Sequence, residues 1–205
     1  MTASVDMTQK RKRKVPDYLI YETLKGKPLY YKGYKDVIRK KKKPEEIIGS
    51  SSLQAAIVSL IHVYLSVHLS DDYLVVTNEA GLHIDVGDNL ANDIAVYWQD
   101  HIGTLNDNYF STSPHVVIEV DIKADMADYA TDEEYIIEKT QKMLDFGTQK
   151  VVWVLTKNQK IVVAEKLNPT WLITNWQQDI VIDENCILNL NELVKKKRLT
   201  AFLSK

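Results

Sequence analysis

Asp93, Glu119 and Lys139 are the residues of this sequence whose types and settings could do chemistry together. Glu119 sits inside the run Val116-Val117-Ile118-Glu119-Val120, which reads as a buried central strand. A carboxylate there is costly unless it is paired or bound to a metal. Asp93 opens a second apolar segment, Ile94-Ala95-Val96-Tyr97, just after a turn at Gly87-Asp88-Asn89. Side chains alternate along a strand, so Asp93, Ala95 and Tyr97 share one face, and Val117, Glu119 and Asp121 share another. Two carboxylates near the ends of neighbouring strands can hold a hard divalent cation through oxygen ligands. Ile136, Ile137, Thr140, Met143 and Leu144 define the apolar stripe of a following helix, and Lys139 lies on or beside it, where it either snorkels to water or directs its ammonium at the carboxylates. The second arrangement suits phosphodiester hydrolysis, because a cation and an ammonium offset charge building on the phosphoryl oxygens. The competing reading pairs Glu119 with Lys139 or Lys123 in a buried ion pair.

The elements that must position these groups follow from periodicity. Residues 18–24 read as a short helix, Gly26 and Gly33 as turn signals, and the lysine-rich run 39–43 before Pro44 as an exposed loop. Leu53, Ala56, Ile57, Leu60, Ile61, Tyr64 and Leu65 recur at helical spacing over residues 52–68, with serines at 50–52 available as an N-cap. The period then changes to that of strands over 73–77, 82–86, 94–97 and 115–121. Helical spacing returns over 131–146, with Asp132, Glu133 and Glu134 in the first turn and Gly147 as the stop. Residues 151–156 and 161–165 make a hairpin around Lys157-Asn158-Gln159, and Trp171, Trp176 and the apolar tail close the core. A strand, crossover helix and strand in that order favour a mixed sheet covered by helices, an α/β architecture.

Composition bounds the possibilities. The 205 residues carry 45% hydrophobic and 26% charged side chains, ordinary for a globular protein, and are read as a basic, disordered tail over 1–14 and one domain over 15–205. No apolar run approaches bilayer-crossing length, no secretory signal is visible, and one cysteine, Cys186, excludes a multi-cysteine zinc site. A reducing, cytoplasmic setting is expected. Net charge is -2, yet the basic residues clump at 10–14, 39–43 and 195–198, with the acids mostly between. Such segregation offers phosphate-binding surface around an acidic centre, or else merely solvated lysines. The five histidines show no ligand spacing, the tryptophans read mainly as core, and no glycine-rich phosphate loop is present.

Several of these stretches together resemble a known family. Tyr21-Glu22-Thr23-Leu24-Lys25-Gly26-Lys27 is similar to the opening "YELIDGE" pattern of the Uma family of restriction-endonuclease-like proteins, within the PD-(D/E)XK nuclease superfamily. Asn92-Asp93-Ile94-Ala95-Val96 resembles its "PDVAV" strand, residues 114–120 its "P-x-LVIEV" strand, and Lys139, Met143 and Gly147 its "K-xxx-Y-xxx-GV" helix end. The resemblance spans roughly residues 17–195. It implies a restriction-endonuclease-like core that hydrolyses DNA phosphodiesters with Mg²⁺, Mn²⁺ being a possible substitute. Asp93 and Glu119 would be the metal ligands, together with the Val120 carbonyl. Lys139 would supply the lysine that the usual motif places two residues after the glutamate, where this sequence has Asp121; Lys123 is its rival. Glu22 would approach from an N-terminal helix, Asp121 would be a further ligand or a weakening charge, and a homodimer would cut paired strands. A module of the same fold that binds nucleic acid or a protein partner without cleaving it is the alternative.

Overall fold

A computed structural model describes residues 14–202. The expected disordered tail therefore lies outside the described residues apart from Lys14. A 3-10 turn, Asp17–Leu19, leads into β1 (Ile20–Leu24) and β2 (Lys27–Tyr30), followed by α1 (Tyr34–Ile38) and α2 (Ser52–His68). Then come β3 (Tyr73–Asp85), β4 (Asp88–Trp98), β5 (Val116–Val120), α3 (Asp132–Phe146), β6 (Lys150–Leu155), β7 (Lys160–Glu165), β8 (Asn168–Asn175), β9 (Ile180–Asp183), β10 (Cys186–Leu188) and α4 (Leu190–Lys196).

The large sheet runs β2-β1-β4-β5-β6-β7-β8, with β3 paired to β4 and with β5 and β6 parallel across the α3 crossover. It is a mixed sheet with helices on both faces, the architecture expected from the sequence. One face packs Ile94, Val96, Val116, Ile118 and Val120 against Ile57, Ile61 and Leu65 of α2. The other packs Val117, Val151 and Trp153 against Tyr135, Met143 and Leu144 of α3. Both long helices are capped: Ser51, among the serines expected to do so, accepts from Gln54 N, and Thr131 stands just before α3 and accepts from Glu134 N. Gly147 ends α3 at φ 133°, where a Cβ would stand 2.7 Å from Ser113 Oγ.

Three local expectations are corrected. Residues 20–24 form a strand, not a helix: Tyr21 and Leu24 fill the α3-side core while Lys25-Gly26, both at positive φ, make the tight turn to β2. Residues 73–85 are one long strand with a bulge at Asn78 and Glu79, which sit at φ 73° and 55°. Ile137, assigned to the buried stripe of α3, is 55% exposed.

β3 occupies one edge of β4 along almost its whole length. The opposite edge of β4 is shared: Thr23 of β1 pairs with Asn89, and β5 pairs with residues 94–96. The sheet thus forks where β4 passes from one neighbour to the other, leaving the backbone of residues 90–93 without a strand partner on that side. Unpaired backbone groups in a buried fork must be satisfied by side chains. Polar residues therefore gather there.

Candidate active site at the fork of the sheet

Lys139 projects from α3 into the fork and is fully buried. Its ammonium donates to the Ala91 carbonyl at 2.9 Å and lies 3.0 Å from Glu22 Oε2 and 3.1 Å from Glu119 Oε1. The rings of Tyr21, Trp153 and Tyr135 surround it at 5.6, 5.8 and 6.0 Å. Aromatic faces and carboxylates together replace the water this cation has lost. Burial opposes its charge, but Glu119 and Glu22 outweigh that and hold its pKa above the ordinary lysine value.

The two carboxylates are not equally provided for. Glu22, on β1 rather than on the expected helix, also accepts from the Tyr135 hydroxyl and from Ala91 N at 3.3 Å. Glu119 has the ammonium near Oε1 but no well-aligned hydrogen bond to that atom. Burial pushes the Glu119 carboxyl up to about 8; Lys139 pulls it down, and Asp93 and Glu22 add to the rise. One ammonium between buried acids leaves negative charge over, which favours the protonated form of Glu119.

Asp93 is 3% exposed and bridges the fork from the β4 side. Its Oδ2 accepts from Val120 N at 2.9 Å and from Gln54 Nε2 at 3.4 Å, and Gln54 also donates to the Val120 carbonyl. Its Oδ1 lies 2.8 Å from Lys123 Nζ, which donates in turn to Glu79 Oε1 at 2.9 Å. Burial works against the Lys123 charge, but Asp93 and Glu79 outweigh it and raise its pKa. A cleft of about 480 Å³ between the start of α2 and the β3 bulge opens onto Asp93, Lys123 and Glu79.

The fork thus gathers Asp93, Glu119, Lys139, Glu22 and Val120 of the residues singled out in the sequence. Asp121 goes elsewhere. Strand alternation ends at Val120; Asp121 turns to φ 58°, and its carboxylate accepts from Thr156 N at 2.8 Å and Thr156 Oγ1 at 2.6 Å, tying the end of β5 to that of β6. Gln54, Glu79 and Asn92 were not singled out. Gln54 was legible as the one polar residue on the buried stripe of α2. Asn92 is fully buried and neither of its amide atoms has a hydrogen-bond partner.

Whether a divalent cation fits is decided by the donors. Asp93, Glu119 and the Val120 carbonyl are hard oxygens, and Mg²⁺ commonly takes only one or two carboxylates with the rest of its shell filled by water. Glu119 Oε1 already has the Lys139 ammonium at 3.1 Å, so a cation there would share that oxygen with Lys139. Among the described residues no three acidic, histidine or cysteine side chains converge as a ready-made cage. The donor types therefore fit a hard cation once Lys123 yields Asp93 Oδ1 and Lys139 shares Glu119. Cys186 is buried, and burial pushes its thiol up to about 11, so it offers no nucleophile.

No family model matches this sequence, and no curated protein sequence matches it. Among solved structures, the chain is similar to a candidate nuclease of the DUF820 family from Anabaena variabilis. The identity is 14%, the match covers 85% of this chain and 89% of that one, and the TM-score is 0.59. At that identity the likeness establishes the fold: this chain has a nuclease-like architecture, a large mixed sheet flanked by helices.

Proposed function

We propose that the protein is a divalent-cation-dependent nuclease that hydrolyses DNA phosphodiester bonds at the cleft bordered by Asp93 and Lys123. The observation that carries this reading is the fork itself. It holds two buried acids, one on each of the strands that diverge there, with the Val120 amide donating to Asp93, Gln54 joining Asp93 to the Val120 carbonyl, and a solvent-reaching lysine beside Asp93. The likeness to a candidate nuclease is consistent with it.

In this reading Asp93, Glu119 and the Val120 carbonyl hold the cation, Mg²⁺ or Mn²⁺, which when bound would offset charge on the phosphoryl oxygens. Gln54 keeps Asp93 and Val120 in register from α2. Lys123 turns from Asp93 toward the scissile phosphate, because it is the lysine that lines the cleft. Lys139 has no route to solvent, so its part is to hold Glu22 and Glu119 in place rather than to touch substrate. The resemblance also favours a homodimer, which analytical ultracentrifugation reads directly.

Purified protein is mixed with plasmid DNA with and without Mg²⁺ or Mn²⁺, beside Asp93→Asn, Glu119→Gln and Lys123→Ala. Metal-dependent cutting that disappears in each variant is the expected result. Cutting that persists in Asp93→Asn, or that proceeds in chelator, sinks the assignment. The alternative is a binding module that does not cleave. One observation favours it: both site acids have an ammonium close by, Asp93 that of Lys123 and Glu119 that of Lys139. Retarded but intact DNA would support that module.

A further inference from the structure

A second concavity, of about 680 Å³, lies at the start of β1, away from the fork and unused by the chemistry above. Its floor is apolar, from residues that include Leu19, Val37 and Pro44, and its rim carries Lys14 and the four consecutive lysines 40–43. These lysines stand on a built turn, not a loose loop. Lys40 N donates to Val37 O at 2.9 Å, Lys41 N to Asp36 O at 2.8 Å, and Lys43 N to Glu46 Oε2 at 2.6 Å. Lys40 takes φ 59° to close the turn. Glu46, the acid of the groove, is engaged with that backbone, and among the described residues no ion pair includes any of lysines 40–43. Four ammonium groups carried on a fixed backbone, none in an ion pair, are a surface for a polyanion. Tyr18, 58% exposed, presents an aromatic ring on the same groove.

We propose that this groove docks the phosphate backbone of a nucleic acid strand, with Tyr18 stacking on an unpaired base. A single-stranded or frayed segment is the form it fits, because a base in a duplex has no free face to offer. This inference rests on the nuclease reading for its purpose, and chain continuity links the two. The turn from Pro44 to Glu46 lines the groove, and Ile48, Gly49 and Ser50, next in sequence, line the cleft at Asp93 and Lys123. From Lys43 to Ile48 the chain reaches at most about 17 Å, roughly five nucleotide steps. A strand held by the lysines thus arrives within a few nucleotides of the cleft. A lipid surface is disfavoured: α1, the one α-helix on the groove among the described residues, spans Tyr34–Ile38, too short to lie along a membrane.

The test uses the full chain carrying Asp93→Asn, in chelator, with fluorescence anisotropy of a labelled oligothymidine and of a blunt duplex. Combined Lys41→Glu and Lys42→Glu should weaken binding roughly tenfold or more and reduce the salt slope by about 0.7 per lysine. Tyr18→Ala should weaken the single strand about tenfold and leave the duplex nearly unchanged. Unchanged affinity and slope in the lysine variant would overturn the proposal, as would an equal loss for strand and duplex in Tyr18→Ala. Binding to phosphatidylserine vesicles without binding to the oligonucleotide would overturn it too. Because no step here requires cutting, docking can fail while plasmid cleavage succeeds, and the reverse.

Discussion

Replacing Glu119 by glutamine should make the protein more stable at alkaline pH while removing its response to a divalent cation. The Glu119 carboxyl, ordinarily near 4.5, is pushed up to about 8 by burial, with Lys139 opposing and Asp93 and Glu22 reinforcing. The folded state therefore binds its proton more tightly than the unfolded chain does. Between those two values the folded state carries the extra proton, so stability falls as pH rises through that window and levels off outside it. The limiting slope is about 1.4 kcal/mol per pH unit, and relaxation and water entry will reduce the total. A relative loss of about 2 kcal/mol across the window would move a urea midpoint by about 1 M. Other groups titrate in the same range. His115, whose pKa burial lowers, has the opposite sign, because the unfolded chain binds its proton more readily and stability rises with pH. The wild-type minus Glu119→Gln difference cancels that contribution. Urea unfolding of both proteins at several pH values between about 5 and 8 gives the difference directly. Wild type should fall progressively below the variant as pH rises, and parallel curves would refute the argument that Lys139 leaves Glu119 short of compensation. Adding Mg²⁺ at the alkaline end should stabilise wild type and leave the variant unmoved.

Lys139→Met removes the cation shared by Glu22 and Glu119 and should cost about 3–5 kcal/mol by denaturant melts, a loss too large for a solvated lysine. Asn92→Leu replaces a buried amide whose two polar atoms have no partner, and should raise stability by about 1–3 kcal/mol in thermal melts. Asp121→Asn keeps a residue that tolerates positive φ but weakens the tie to Thr156. It should cost about 1 kcal/mol and leave plasmid cutting unchanged, whereas a loss of cutting would return Asp121 to the active centre.

Much of this arrangement was legible because it rests on period. The apolar run around Glu119 and the stripe on α2 announced a central strand and a covering helix, and the sheet and α3 crossover follow from them. Periodicity could not show where strands part. Residues 20–24 read as a helix because a short amphipathic strand and a single helical turn present similar apolar spacing. What decided it was the turn at Lys25-Gly26, closed by Gly26 N donating to Gly87 O at 3.1 Å, far along the chain. Glu79 was invisible for a related reason: only a bulge aims it into the cleft, and the sequence showed that bulge as a bare gap between two strand-like segments. Asp121 failed oppositely. Alternation holds only to Val120, the end of β5, and at Asp121 the backbone has already turned.

The two candidate lysines separate on physical grounds that no spacing rule contains. Lys139 must be charged, because two carboxylates and three aromatic faces stand where its water would have been. That same enclosure keeps it from a phosphate, since leaving would strand two buried acids at a cost of several kcal/mol. Lys123 has an exit. Its partners Asp93 and Glu79 border the cleft, so an incoming phosphate or a cation on Asp93 can replace one interaction with another of like strength. In the proposed nuclease the basic residues would divide by solvent access: the closed lysine secures the geometry of the acids, and the open one is free to meet a phosphate.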